Sequence, residues 1–168
     1  NVFSGNKDYG LNLESNTNST IRYNSVLNSG SSSGSPAIGI PDSYIESINN
    51  TLKYNTIYNS INNGIEFRYG NNVFNNNNLF KINGSFFLKQ LEENSNALDA
   101  KNNFWGDITQ VQLNDRIYDF EDDFELGTVD TGNFLTTPDI NAPISPPQNI
   151  SKVVSGTSLI FTWVQNLE

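Results

Sequence analysis

A unit of a little over twenty residues recurs along this chain, and it restricts the fold more than any other feature. Residues 55–67 lie over residues 1–13 without a gap: Asn55 on Asn1, Ile57 on Phe3, Gly64 on Gly10, Ile65 on Leu11 and Phe67 on Leu13. The unit returns at Asn24, Asn77 and the Asn102-Asn103-Phe104 stretch, so the anchoring asparagines step by 23, 31, 22 and 25 residues. A repeat of this period is one supersecondary unit that cannot bury its apolar face alone, whereas several stacked units can. Within each unit apolar residues alternate with polar ones, the period of a strand. The inward pairs read as Leu11/Leu13, Ile38/Ile40, Ile65/Phe67 and Phe86/Leu88. The fold class expected is therefore all-β, a right-handed parallel β-helix whose rungs stack at roughly 4.8 Å. An asparagine at a fixed bend can turn inward and bond the amides above and below. Asn24, Asn55 and Asn77 are expected to be buried and joined in this way. The long step carries Ser29 to Pro36 and the region from Pro41 to Asn50, loop-forming stretches that emerge at a bend.

Composition narrows the function classes. The 168 residues include no Cys and no His, which excludes a disulfide framework, a Ser-His-Asp triad and the usual zinc hydrolase site. A net charge of -9 disfavours nucleic acid, whose phosphates favour Lys and Arg. Such a charge suits solubility outside a cell, or cation binding. No apolar run is long enough to insert in a membrane. There is also no Met, so the chain is expected to be a length cut from a larger protein.

With the repeat in hand, the chain resembles the pectate-lyase-like right-handed β-helix families, specifically bacterial parallel β-helix repeat proteins, over residues 1 to about 138. Asn102-Asn103-Phe104-Trp105-Gly106 is similar to the terminal-coil signature of those proteins. Ile117 to Asp123, Leu126 to Val129 and Phe134-Leu135 are similar to the tail that follows it. The resemblance implies a secreted or cell-surface location. Residues 1–107 read as β-helix coils and 108–137 as a C-terminal cap and tail. Asp107 is placed to N-cap a helix over about 108 to 118, with Ile108, Val111, Leu113 and Ile117 on its apolar side. The Pro-rich 138–147 reads as a linker. Residues 148–168 read as two strands around a turn, with Leu159, Phe161 and Trp163 on one face. They resemble the opening of a fibronectin type III domain, with Trp163 at its core position.

Three groups of residues are candidate sites. Enzymes of the resembled families often use outward residues of one sheet face, with Lys or Arg as base and carboxylates beside it. By the register above, Asn12, Gly39, Glu66 and Phe87 form one outward column, and Glu14, Pro41, Arg68 and Lys89 the next. Glu66, Arg68 and Lys89 are the catalytic candidates, weighed against a solvated face of weak ion pairs. A second column, three residues after each anchoring Asn, holds Ser4, Leu27, Tyr58, Phe80 and Trp105, with Phe3, Val26, Ile57, Leu79 and Phe104 pointing inward. Tyr58, Phe80 and Trp105 then either stack on sugar rings, as rigid aromatic faces do, or lie under the tail between Phe120 and Leu135. Third, Asp119, Glu121, Asp122, Asp123 and Glu125 supply the oxygens that Ca2+ prefers, without the glycine-punctuated spacing of a calcium loop. The reading reached is a noncatalytic β-helix module of a secreted or cell-surface, bacterial protein that binds polysaccharide. The alternative is the C-terminal part of a polysaccharide lyase or glycoside hydrolase whose active coils lie elsewhere.

Overall fold

The computed structural model describes residues 1–31, 34–41, 46–93, 96–143, 148–155 and 157–164. Parts of both loop regions in the long step, part of the 138–147 stretch, and the Trp163 side chain lie outside the described residues. The chain is a parallel β-solenoid of three sheets visited in turn. The first sheet stacks Val2–Ser4, Ser25–Leu27, Thr56–Tyr58 and Asn78–Phe80. In the second, Leu11–Asn12, Ile38–Ile40, Ile65–Phe67, Leu88–Gln90 and Ile117–Tyr118 pair in order. The third holds Thr20–Arg22, Thr51–Lys53, Val73–Asn75, Leu98–Asp99 and Val129–Asp130.

Alternation places the core. The middle residue of each three-residue strand points inward in the first and third sheets, giving the columns Phe3, Val26, Ile57, Leu79 and Ile21, Leu52, Phe74. In the second sheet the flanking residues point inward: Ile38 with Ile40, Ile65 with Phe67. The fourth rung departs from the expected register. Leu88 and Gln90 align with Ile65 and Phe67, so the inward pair is Leu88/Gln90 and not Phe86/Leu88. The cause is a bend one residue longer: Phe80 to Leu88 is a step of 88 - 80 = 8, against 65 - 58 = 7 from Tyr58 to Ile65.

Asparagine serves this solenoid twice. One set runs from the exposed Asn1 through the buried Asn24, Asn55, Asn77 and Asn103. Asn24, Asn55 and Asn77 donate from both backbone N–H and side-chain Nδ2 to the Oδ1 of the next asparagine, at 2.9–3.1 Å except for the 2.8 Å bond from Asn77 N. Each Nδ2 also reaches a backbone carbonyl, as Asn55 does with Ile21 at 3.0 Å. The last member is Asn103, 0% exposed, and not Asn102. Asn102 instead takes the left-handed bend just before it, with φ +55°, as Asn76 does at +57°. Asn28 and Asn59 hold the next bend at φ +49° and +53°. Asparagine tolerates this region better than most residues, because its short side chain bonds locally. The ladder takes one asparagine per rung and the left-handed bends take others, Asn18, Asn28, Asn49, Asn59, Asn71, Asn76 and Asn102 among them, which is why so polar a residue can dominate a folded chain.

The C-terminal end closes differently from expectation. The helix among the described residues is short, Gln110–Asn114, and its N-cap is Thr109 rather than Asp107. Ile108 N–H bonds back to the Gly106 carbonyl, a turn that delays the helix start. Thr109 and Gln112 form a reciprocal capping box. Leu113 is fully buried and Ile108 packs against the core, so the helix covers the apolar cross-section; Val111 is exposed. The chain then resumes the solenoid: Ile117–Tyr118 and Val129–Asp130 extend two sheets, and Leu135 bridges Phe104. Thr109→Ala is expected to lower stability by about 1 kcal/mol, read from the urea midpoint. A Gln112→Ala variant should lose less, since it leaves the Thr109 hydroxyl in place.

Beyond Leu135 the described chain runs back along the outside of the first sheet. Asp139 exchanges backbone bonds with the Asn78 amide at 2.7 and 3.1 Å, and its carboxylate accepts from Asn76. The Thr56 hydroxyl donates to the Pro143 carbonyl. Residues 148–155 and 158–164 form an antiparallel hairpin, as the alternation predicts. Val154, Leu159 and Phe161 are exposed on it.

Candidate functional site

The outer face of the second sheet carries the acid and base candidates. Pairing aligns Gly39, Glu66, Lys89 and Tyr118, with Asn12 beside Gly39. Lys89 therefore shares the column of Glu66 and not that of Arg68. This corrects the expected columns and follows from the longer bend before Leu88. Phe87, expected on this face, is instead buried in the core. Phe86 packs outside the core against Tyr118, with ring centroids 5.3 Å apart. The Lys89 ammonium lies 5.0 Å from the Tyr118 centroid and 5.7 Å from that of Phe86. Glu66 accepts a hydrogen bond from Asn63 Nδ2 at 3.0 Å. Although they are neighbours in register, Glu66 and Lys89 form no ion pair; Arg68 is exposed and also unpaired with either. The arrangement places one carboxylate and one ammonium on adjacent rungs, each with another partner. Tyr118, which completes the face, was not legible as part of it, because nothing local ties residue 118 to residue 89.

The aromatic column is also corrected. Trp105 is 0% exposed in the main core, with Phe74 and Phe87 each 6.0 Å away. With Asn103 in the ladder, Trp105 falls two residues after it, the inward position that Ile57 takes after Asn55. Phe104 is thereby moved out of the core. It joins Leu27, Tyr58 and Phe80 in a separate buried cluster on the outside of the first sheet, with Leu135 packed against it. Tyr58 and Phe80 do point outward, but they are only 5% and 6% exposed. The covering chain is the stretch around Leu135 that continues to Asp139 and Pro143; Phe120, within the range first considered, is itself exposed. Tyr58, Phe80 and Trp105 present no open ring face on which a sugar could stack.

The acidic run folds into a turn of its own. Both oxygens of Asp119 accept backbone N–H groups, from Glu121 at 3.0 Å and Val129 at 2.7 Å. Asp122 bonds back to Asp119 N, and Asp123 accepts from Glu125 N. These carboxylates tie the chain between the second and third sheets. Among the described residues no three acidic side chains gather around a common point, so Asp119, Glu121, Asp122 and Asp123 do not assemble a cation cage.

Charge elsewhere follows burial and pairing. Burial, and then the nearby Glu46, raise the Glu92 pKa; one of its oxygens is buried without a partner. Its contribution to stability is full below the unfolded carboxyl pKa and declines as pH rises through the higher folded value. Burial lowers the Arg116 pKa; its Nη2 donates to the Ile82 and Gly84 carbonyls at 2.9 Å, and the guanidinium lies 4.1 Å from the Phe87 centroid. Asp130 is held low, first by its bond from Lys101 at 2.8 Å and then by the Gly132 N–H. That pair is exposed, and screening leaves it little weight. Among the described residues no helix is long and apolar enough to cross a membrane. Compared with protein-family models, curated proteins and solved structures, the chain matches none of them.

Proposed function

We propose that this chain is a noncatalytic β-helix module of a secreted or cell-surface protein, and that its partner is polysaccharide. The observation that carries the reading is the engagement of the acid and base candidates: Glu66 holds Asn63, and Lys89 sits against Tyr118 and Phe86. A general base must reach the proton it removes, and here the ammonium rests on rings that belong to the solenoid itself. The pectate-lyase-like relationship is supported by three parallel sheets and an inward asparagine ladder. A fibronectin type III-like continuation is supported by the hairpin, whose exposed Val154, Leu159 and Phe161 form an apolar face that a sandwich would bury. A solenoid suits a linear polymer because each face repeats the same spacing along its axis.

A second reading, the back part of a lyase or hydrolase, is favoured by the shared column of Glu66 and Lys89. The two separate cleanly. Incubated with pectate, alginate or a glycosaminoglycan, the chain is expected to release no unsaturated product by ultraviolet absorbance and no new reducing ends. Release that disappears in Lys89→Met would overturn the noncatalytic reading and establish the second.

A further inference from the structure

The bend between the third and first sheets carries a choice that folding alone does not require. Its residues take left-handed φ values: Tyr23 at +58°, Tyr54 at +53°, Asn76 at +57° and Asn102 at +55°. Asparagine takes this conformation readily, while a bulky ring in it is an outlier. Two consecutive rungs nevertheless hold tyrosine. The rings stack, 5.6 Å apart and within 8° of parallel. Their backbones continue the bend, Tyr23 N–H to the Tyr54 carbonyl and Tyr54 N–H to that of Asn76, both at 3.0 Å.

Beside them stand two cations in register. Arg22 pairs with Lys53 across the third sheet. The Arg22 guanidinium lies 5.4 Å from the Tyr23 centroid, and the Lys53 ammonium 5.8 Å from that of Tyr54. Neither has a carboxylate partner; the ion pairs among the described residues both belong to Lys101. The outward positions around them on the sheet are Thr20, Thr51, Val73 and Asn75. In a chain with 18 acidic and 9 basic residues, two stacked cations without an acid between them invert the local charge. Tyr23 is 47% exposed, Arg22 is exposed, and Lys53 and Tyr54 are partly so.

We propose that Arg22, Tyr23, Lys53 and Tyr54 form a binding strip for a linear acidic polysaccharide lying along the solenoid axis. The proposal rests on the polysaccharide reading above and names the class of polymer and the site. The stacked rings cover each other's facing sides, so the strip does not work by laying sugar rings on aromatic faces. It offers one cation and one phenol hydroxyl per rung, repeated at about 4.8 Å. Carboxylates take the cations, and sugar hydroxyls meet the phenols. The net charge of -9 opposes every polyanion alike. It is the pairing of cations with phenol hydroxyls that favours a uronic-acid polymer, whose repeats carry both carboxylates and free hydroxyls, over DNA, whose sugars carry no free hydroxyls along the chain.

The test is electrophoresis of the full chain through native gels containing polygalacturonate, its fully methyl-esterified form, neutral glucan or, separately, single-stranded DNA. Polygalacturonate should retard the chain at low salt, and the esterified form and DNA should not. Arg22→Gln with Lys53→Gln should weaken retardation about tenfold, the sum of two screened contacts. Tyr23→Asn with Tyr54→Asn should weaken it too while leaving the melting curve near or above that of the parent, since asparagine suits the bend. Retardation by polygalacturonate that survives the double Gln variant overturns this site but keeps the polysaccharide reading, as does retardation by neutral glucan alone. No retardation by any glycan ends both. A DNA shift that the same variant abolishes makes the strip a general polyanion site and also overturns the proposal.

Discussion

Asn55→Asp is expected to prevent the solenoid from folding at neutral pH, while Asn55→Ala leaves it folded but weaker by about 3 kcal/mol. The difference lies in what the side chain does. Its Oδ1 accepts from the backbone and side chain of Asn24, and its Nδ2 donates to the Ile21 and Lys53 carbonyls and to Asn77 Oδ1. Alanine removes both roles and leaves buried groups without partners, each at a cost of about 1 to 3 kcal/mol. Aspartate keeps the shape but replaces a donor by an acceptor. It then sets a negative charge, 0% exposed, against three oxygens. Burial and those oxygens raise the folded pKa of such a carboxyl above its unfolded value of about 3.9. Stability of the Asp variant is therefore greatest below that value and is lost as pH rises toward the folded pKa. Urea titrations followed by far-ultraviolet circular dichroism at pH 7 and pH 4.5 measure both effects. An Asp variant as stable as the parent at pH 7 would show that the ladder does not carry the stack.

The second large effect is expected at Trp105. Trp105→Ala should cost about 3 to 5 kcal/mol, because it empties a large site between Phe74 and Phe87 on the rung that the C-terminal helix covers. Trp105→Phe should cost clearly less. It keeps most of the ring volume and removes an indole N–H that is buried without a hydrogen-bond partner, a group whose desolvation nothing offsets. Urea midpoints rank the three proteins. Equal losses for Phe and Ala would mean that the indole itself, rather than its volume, is what the site requires. The Trp105 emission of a Trp163→Phe variant is also expected to be blue-shifted and indifferent to added polysaccharide.

The architecture was legible in the residues because it depends on local period and on recurrence. Alternation in Ile38-Gly39-Ile40 and Ile65-Glu66-Phe67 places side chains on two faces whatever surrounds them. The return of Asn24, Asn55 and Asn77 at solenoid spacing identifies the bend at which they turn inward. The register of the last two rungs was not legible for the same reason. Asn102 and Asn103 are chemically identical, and either can stand two or three residues before Trp105. Only the bonds from Asn77 to Asn103 select one, and with it send Trp105 inward and Phe104 out. Phe86/Leu88 and Leu88/Gln90 alternate equally well, and cross-strand pairing with Ile65 and Phe67 decides for the pair that buries a glutamine. Exposure of the outer faces was a tertiary matter throughout. Tyr58 and Phe80 point outward as alternation requires, yet the chain near Leu135 buries them. Tyr23 and Tyr54, one bend away, keep access to solvent. Local sequence sets which way a side chain points; what lies over it depends on chain that is distant in sequence and adjacent only after the solenoid has formed.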